Sequence, residues 1–455
     1  MRIWVGFCVF VIAVIGLAFL LLRAQIQLYQ NGFLYAYGPY EFTRSIQELS
    51  MQIDSDNQQF SADAAKTAHP DWTGGAFLNR HSHSKVLADQ TFRSVTTPNN
   101  DTLYTSAVLE LSATPVELVL PAIGGRYQSV ALMDLFTDQF AHIGPRETGG
   151  EAGIYWIIGP EDDTPVPANV KVIRATGNDV WLLGRTFVSG SGDLDAARAA
   201  QSGMTVRPVF PDRPTRPFST LVTDITDSAN FLAVTNEALA RNSHHPHSAR
   251  ADQYKAIGIG PDAGTGTWSD FLWARLTARI EAAMSEQINQ TLAAGAGWSK
   301  PSRTIGFYGE DDTFRSAVAL IGFGALRLED AIYYRATRTA MGEPFDGRGN
   351  YQLELPADVP ARAFWSISLY APDETGRFYF FENATGRHSL NSGSAGLQYQ
   401  PDGQVTLHIG PHPPAGGVSN WLPTPEGPFA AFFRVYAPEE QAVADLWMPP
   451  PIVRE

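Results

Sequence analysis

The sequence predicts a predominantly β protein with a helical block in the middle and an apolar anchor at its N-terminus. Three observations carry this: a charge-free apolar run beginning at Ile3, two stretches of short alternating segments punctuated by Gly, Pro and Asn, and between them segments whose apolar residues recur every three or four positions. At 455 residues with 44% hydrophobic side chains, the chain can bury two to three cores. Its 47 acidic and 33 basic residues give a net charge of -14, which disfavours nucleic acid as a partner, because phosphates need a cationic face. The one cysteine, Cys8, lies in the apolar run, so the rest of the chain forms neither a disulfide nor a thiolate metal cluster.

Ile3 to Leu22 is 20 residues without a charge, and as a helix it spans about 30 Å, the thickness of a bilayer core. Arg2 and Arg23 flank it symmetrically and give no orientation signal. Leu22-Arg23-Ala24 lacks a small-x-small cleavage site, so an uncleaved signal anchor over 1–23 is expected, with a cleaved signal peptide as the alternative. A helical and polar connecting region, 24–91, follows. Within it, Asn31–Met51 reads as a short amphipathic helix with Gly38 and Pro39 near its start, and Asp54–His83 as a polar surface connection.

Residues 92–200 carry six strand-like segments: TLYTSAVLEL, PVELVLP, YQSVALMD, GIYWIIG, VKVIRA and DVWLLGRTFV. Runs such as TPNN, ETGGEAG and PEDDTPVPAN punctuate them. Without intervening helices they argue for a sandwich or barrel, not a doubly wound nucleotide fold. DLDAARAAQSGM reads as a short helix. Residues 201–340 form the helical block, after a proline-rich segment, RPVFPDRPTRPF, that suits neither a strand nor a helix. Its helices are SANFLAVTNEALARN, TWSDFLWARLTARIEAAMSEQINQTLA and DTFRSAVALIGFGALRLEDAIYYRATR. Arg327, Glu329 and Asp330 exclude the last from a membrane. Strands return over 341–455 in YQLEL, AFWSISLYA, LQYQ, QVTLHIG and FAAFFRVYA.

The most distinctive polar run, Thr97-Pro98-Asn99-Asn100-Asp101-Thr102-Leu103-Tyr104, enters a strand. It reads as a Pro/Asn turn, or as the mouth of a pocket where Asp101 and Tyr104 supply acid/base chemistry or bind a polar ligand. His81 and His83, and His244, His245 and His247, have spacings that can hold a metal, although both groups sit in polar connections. No HExxH, GxSxG, P-loop or GxGxxG motif is present, so cofactor and metal stay unknown at this level. Trp365, Trp421, Phe432, Phe433 and Tyr436 serve either a core or an aromatic pocket. Arg434 either binds an anion or pairs with a buried carboxylate.

These pieces resemble the bacterial two-part family whose halves are called domains of unknown function 1254 and 1214. The N-terminal resemblance runs through Asn100-Asp101-Thr102-Leu103-Tyr104, Pro121, Tyr127, Gly144-Pro145, Gly159-Pro160 and Trp181-Leu182-Leu183-Gly184-Arg185-Thr186. The C-terminal one runs through Phe364-Trp365-Ser366-Ile367-Ser368-Leu369-Tyr370, Asp402-Gly403, Asn420-Trp421-Leu422-Pro423 and Arg434-Val435-Tyr436. The resemblance implies an N-terminal β-sandwich, a helical part and a C-terminal jelly-roll-like domain, but no settled reaction, substrate or cofactor. Glu110 departs from the aspartate expected there, which changes reach while keeping charge.

The leading expectation is an envelope protein anchored in the bacterial inner membrane through residues 3–22, its body in the periplasm, binding a small or medium polar ligand in an interdomain cleft. Asn100, Asp101 and Tyr104 would hydrogen-bond the ligand, Arg185 and Arg434 would recognise an anion, and Trp421 would stack. One alternative is a hydrolase or lyase using Asp101 and Tyr104 as catalytic residues. The other is a non-catalytic envelope scaffold, and homo-oligomerisation is compatible with each. Signal cleavage would leave a periplasmic or secreted body.

Overall fold

The computed structural model describes residues 2–50, 78–93, 96–223, 226–264, 266–292, 297–374 and 376–455. The polar connection expected from Asp54 lies, up to residue 77, outside the described residues. The fold is mixed, with four β-sheets and seven α-helices among the described residues.

A single 49-residue helix, α1 (Arg2–Ser50), joins the apolar run expected as an anchor to the helix expected as separate and amphipathic. Nothing between Leu22 and Gly32 breaks a helix. Pro39 removes one backbone hydrogen bond, yet it sits where helix packing outweighs that loss. Phe33, Tyr35, Ala36, Tyr37, Tyr40, Phe42 and Ile46 cover every side of the turns around it, and all are buried. A helix apolar all round belongs inside a core. Towards the N-terminus the same helix projects from the body with Ile15, Leu17, Phe19, Leu20 and Leu21 exposed. By length and composition α1 can cross a membrane.

The N-terminal β region contains β1 (His81–His83), β2 (Thr102–Glu110), β3 (Val116–Leu120), β4 (Gln128–Met133), β5 (Gln139–Ile143), β6 (Gly153–Ile158), β7 (Lys171–Arg174), β8 (Asp179–Phe187) and β9 (Thr205–Pro208). They form two sheets ordered β1-β2-β8-β4-β5 and β7-β6-β3-β9. Every pairing is antiparallel except that of β6 with β7. Alternation assigns the faces. Ala107, Leu109, Val130, Leu132, Val180 and Leu182 meet Val116, Leu118, Ile157 and Val206 in a core between the two sheets. Val108, Ala131, Met133, Trp181 and Leu183 point the other way, into a core shared with α1.

Short helix α2 (Pro145–Thr148) follows β5, and α3 (Leu194–Ser202) follows β8. The helical block contains α4 (Ser228–Arg241), α5 (Asp270–Leu292) and α6 (Asp312–Ile321). The third expected helix ends early: Gly322 caps it, Gly324 takes a positive φ of 85°, and the chain becomes strand β10 (Ala331–Ala336). Aromatic and branched residues in AIYYRA pair with a neighbouring strand there, so tertiary pairing overrides helical spacing.

The C-terminal region adds β11 (Tyr351–Leu355), β12 (Ala361–Pro372), β13 (Phe378–Tyr379), β14 (Ser389–Asn391), β15 (Val405–Gly410), β16 (Trp421–Pro423), β17 (Ala430–Pro438), α7 (Glu440–Asp445) and β18 (Val453–Arg454). One sheet runs β10-β17-β12-β13 with β14 also on β12; the other runs β16-β15-β11-β18. Leu353, Leu407 and Ile409 from the second meet Ile367, Leu369, Phe433 and Val435 from the first. The expected strand LQYQ is instead the approach to a turn, closed by the Gly403 amide donating to the Gln400 carbonyl with Gly403 at φ 85°.

Candidate functional site

Alternation along β12 sends Trp365, Ile367 and Leu369 into the C-terminal core and Phe364, Ser366, Ser368 and Tyr370 to the opposite face. Register then extends that face. Ser366 lies opposite Arg434 and Asn391, Ser368 opposite Phe432 and Ser389, and Tyr333 opposite Arg434. Two serines and an arginine on a buried sheet face cannot serve a purely apolar core.

The turn preceding β2 covers this face. Tyr370 Oη donates to the Pro98 carbonyl at 2.6 Å, and Asn99 Nδ2 donates to Tyr436 Oη at 2.6 Å. Asn99 Oδ1 also accepts the Asp101 amide at 2.6 Å, an Asx turn that aims Asp101 at the C-terminal sheet. Asp101 is fully buried, and its Oδ1 accepts from Ser389 Oγ and Asn391 Nδ2, each at 3.2 Å. Asp101 Oδ2 and Ser366 Oγ face each other, and neither has another hydrogen-bond partner.

Burial raises the Asp101 carboxyl above the usual carboxylate range, with Arg434, Ser366, Asn391 and Ser389 pulling the other way. The folded protein therefore holds this proton more tightly than the unfolded chain. The resulting stabilisation is complete below the unfolded value, about 3.9, and is lost as pH rises through the folded value. Asp101→Asn removes that dependence. Its stability relative to wild type is expected to rise between mildly acidic and alkaline pH, checked by urea midpoints across that range; parallel midpoints would refute it.

Arg434 is buried, and its guanidinium donates to Ser368 Oγ at 2.9 Å, Tyr370 Oη at 2.7 Å and the Thr97 carbonyl at 3.4 Å. Burial pushes its pKa down, but Tyr370, Tyr436 and Asp101 outweigh this and hold it above the ordinary arginine value. Arg185, on β8 opposite Tyr104, is also buried, with Cζ 5.7 Å from the centre of the Tyr104 ring. One nitrogen donates to the Gly324 carbonyl at 3.2 Å; Nη1 has no partner. Asn100 sits at the rim, bonded to the Ala88 carbonyl and, at 3.3 Å, to Ser389 Oγ.

The turn and strand ends thus bring Asn100, Asp101, Tyr104, Arg185 and Arg434 to one junction. Trp421 is not part of it: it lies in β16, its indole N–H donating to the Gly410 carbonyl at 2.9 Å. Sequence reasoning missed Ser366, Ser389, Asn391, Tyr333 and Arg335 as junction residues. For Ser366 a signal existed, a serine every second residue inside FWSISLY. Glu110, far from this chemistry, braces loops: its carboxylate accepts the amides of Ser112 and Arg216.

The histidines disperse. His245 Nε2 bonds Asp134 Oδ2 at 2.9 Å while its Nδ1 accepts the His247 amide, both rings contact Phe136, that of His247 edge-on, and His244 faces Glu161. His81 and His83 adjoin, with ring centres 4.7 Å apart, but each Nδ1 is engaged, with Val206 and Thr105. Burial, aided by His81, pushes His83 down to about 4. One other group has the donors for a cation: His142 Nδ1 lies 3.0 Å from Asp330 and 3.3 Å from Glu147. There Arg146 already bridges both carboxylates at 2.6 and 2.7 Å, so the cluster is an ion-pair clasp between the β regions.

A solvent-open depression of about 470 Å³ lies beside the junction, lined by Arg93, Pro372, Tyr379, Phe380 and Phe381. Phe380 separates the two, stacking at 4.7 Å on Tyr370, the partner of Arg434.

The architecture is that of a mixed α/β protein in which two β regions flank a helical block and bury a polar seam where they meet. Family models place the first β region, residues 78–208, in Protein of unknown function (DUF1254) and the second, residues 330–440, in Protein of unknown function (DUF1214). The chain belongs to the two-part family that joins these domains. The crystal structure of the VPA0106 protein from Vibrio parahaemolyticus shares the fold, at 22% identity and a TM-score of 0.69, over 94% of this chain and 99% of that one. An uncharacterized protein from Burkholderia cenocepacia aligns at 11% identity and a TM-score of 0.45, over 92% and 96% of the two chains. No curated protein matches the sequence.

Proposed function

We propose that this is an envelope protein, anchored in the inner membrane by α1 with its body in the periplasm, that binds a small or medium polar ligand where its two domains meet. In this reading the N-terminal domain is a β-sandwich and the C-terminal one is jelly-roll-like. The supporting observation is the seam itself, where Arg185 Nη1 is buried without a partner and Asp101 Oδ2 and Ser366 Oγ have none but each other. Each such atom costs about 1–3 kcal/mol unless something pairs with it, and a ligand is what can. Both family domains supply the seam, which gives a reason for their union in one chain.

Thermal unfolding of the detergent-solubilised full chain against a panel of small polar metabolites tests the reading. A ligand that stabilises wild type and loses its effect in Asp101→Asn supports it; a ligand equally effective on both variants refutes the assignment. The anchor is tested separately: the full-length chain should stay in the membrane pellet after an alkaline carbonate wash, and a mature mass lacking residues 1–23 would overturn it. The raised carboxyl of Asp101 also favours an enzymatic variant, a hydrolase or lyase with Asp101 as proton donor and Tyr104 beside it. That variant predicts turnover abolished in folded Asp101→Asn.

A further inference from the structure

We infer that the ligand of the interdomain seam is an anion with a carboxylate-sized head, and that Arg185 is the residue that takes it. The inference rests on the seam being a ligand site, and adds the charge and chemical class of what binds there.

The seam is unbalanced in charge. In the helical block, buried arginines meet acids: Arg241 lies 2.6 Å from Asp179, and Arg315 contacts Asp312 and, at 3.5 Å, Asp138. The seam is built differently. Arg185 and Arg434 lie in it, and Arg335 shares the Arg434 face through its register with Phe432, yet none of the three has a carboxylate within 4.0 Å among the described residues. Arg434 is satisfied by neutral oxygens. Arg335 leaves Nε unpaired, with its guanidinium 4.6 Å from the Phe378 ring centre. Among the described residues Asp101 is the one acid facing them, and burial works against its charge.

Arg185 is the sharpest imbalance. It is 5% exposed and spends one hydrogen bond on a carbonyl, while Tyr104, Tyr127, Tyr333 and Tyr436 surround it and Nη1 goes unpaired. Those rings exclude water, so attraction for an incoming negative charge is little screened. A carboxylate suits a guanidinium because its two oxygens match the paired N–H donors. Thr102 Oγ1, buried and unpaired, and Ser366 Oγ, which faces only Asp101, are further donors on the two sides of the seam. The depression outside Phe380 reaches the seam on the side of Tyr370, the partner of Arg434.

The test is thermal unfolding of the full chain in detergent, at constant ionic strength, with sodium acetate and sodium benzoate against acetamide and benzamide. At least one carboxylate is expected to raise Tm by roughly 2 °C once about tenfold above its Kd, with the matching amide inert. Arg185→Met is expected to abolish that rise while keeping or raising Tm in carboxylate-free buffer, because it deletes a buried charge that lacks a counter-ion. Arg185→Lys, which keeps the charge but not the paired donors, should retain a weakened response even if the methionine variant folds poorly.

A carboxylate response that persists in Arg185→Met, or in wild type no response to either carboxylate, overturns the inference. So does an Arg185→Met variant whose Tm falls by many degrees in every buffer alongside an Arg185→Lys variant with an undiminished response, which would make Arg185 structural. If the amides stabilise as well as the carboxylates and Asp101→Asn abolishes the effect, the seam remains a ligand site and only the anionic class falls.

Discussion

Replacing Asp179 with alanine is expected to destabilise the protein by about 3–5 kcal/mol, among the largest effects of any single substitution in the chain. Asp179 opens β8 and Arg241 closes α4, so the pair ties the first β region to the helical block. Both side chains are at most 2% exposed, and the guanidinium meets the carboxylate through two bonds of 2.6 and 2.8 Å. The remaining donors reach the carbonyls of Arg216 and Pro217, and Asn242 Nδ2 supports the carboxylate at 2.9 Å. Alanine at 179 leaves a buried cation without its bonded counter-ion, with only the unbonded Glu110 and Glu237 acting on it. Asp179→Ala/Arg241→Met removes both charges and is expected to be more stable than Asp179→Ala alone. Urea unfolding of the detergent-solubilised chain reads both; a single variant within 1 kcal/mol of wild type would refute the role given to the pair.

The contrast with Arg185 matters for reading the seam. Arg241 and Arg185 are comparably buried, but one is matched bond for bond and the other is left short. Selection for stability alone gives no reason to keep the second.

Local pattern made much of the β structure legible. VELVL and YQLEL alternate, TLYTSAVLE is rich in branched and aromatic residues, and their turns carry Gly, Pro and Asn, so β2, β3 and β11 follow from local pattern and punctuation. AIYYRA did not reveal itself, because it sits in a run with helical spacing and becomes β10 only by pairing with β17. The continuity of α1 was hidden for the opposite reason. Gly38 and Pro39 look like breakers, and only burial on all sides keeps them inside a helix.

The same division runs through the seam. Asn99 to Tyr104 drew attention through turn chemistry, and Arg434 through its place in an aromatic strand. Their meeting was not legible: Ser389 and Asn391 reach Asp101 across 288 and 290 positions of chain. HHPH pointed to a metal by spacing alone, whereas Asp134 holds His245, His247 packs on Phe136 and His245, and His244 faces Glu161.

Gly38 lies in the buried half of α1, and Gly38→Leu is expected to unseat that half from the body. A β-carbon there would stand 2.8 Å from Arg315 Cδ and 3.4 Å from Cγ. Arg315 cannot give way. It is fully buried and held by the Phe136 carbonyl at 2.8 Å, the Gly309 carbonyl and Asp312. Overpacking against so fixed a neighbour costs about 1–3 kcal/mol, before counting the buried hydrogen bonds that a displaced Arg315 would lose. Gly32 offers the control. Its added β-carbon would meet Ile257 Cδ1 at 2.5 Å, but that is the far end of a side chain able to change rotamer, so Gly32→Ala should cost less. Limited proteolysis of membranes distinguishes the two: Gly38→Leu should release the body from the anchor faster than wild type, and Gly32→Ala should not. Equal release from all three would mean that α1 is held by its other contacts and that the close approach at Gly38 is incidental.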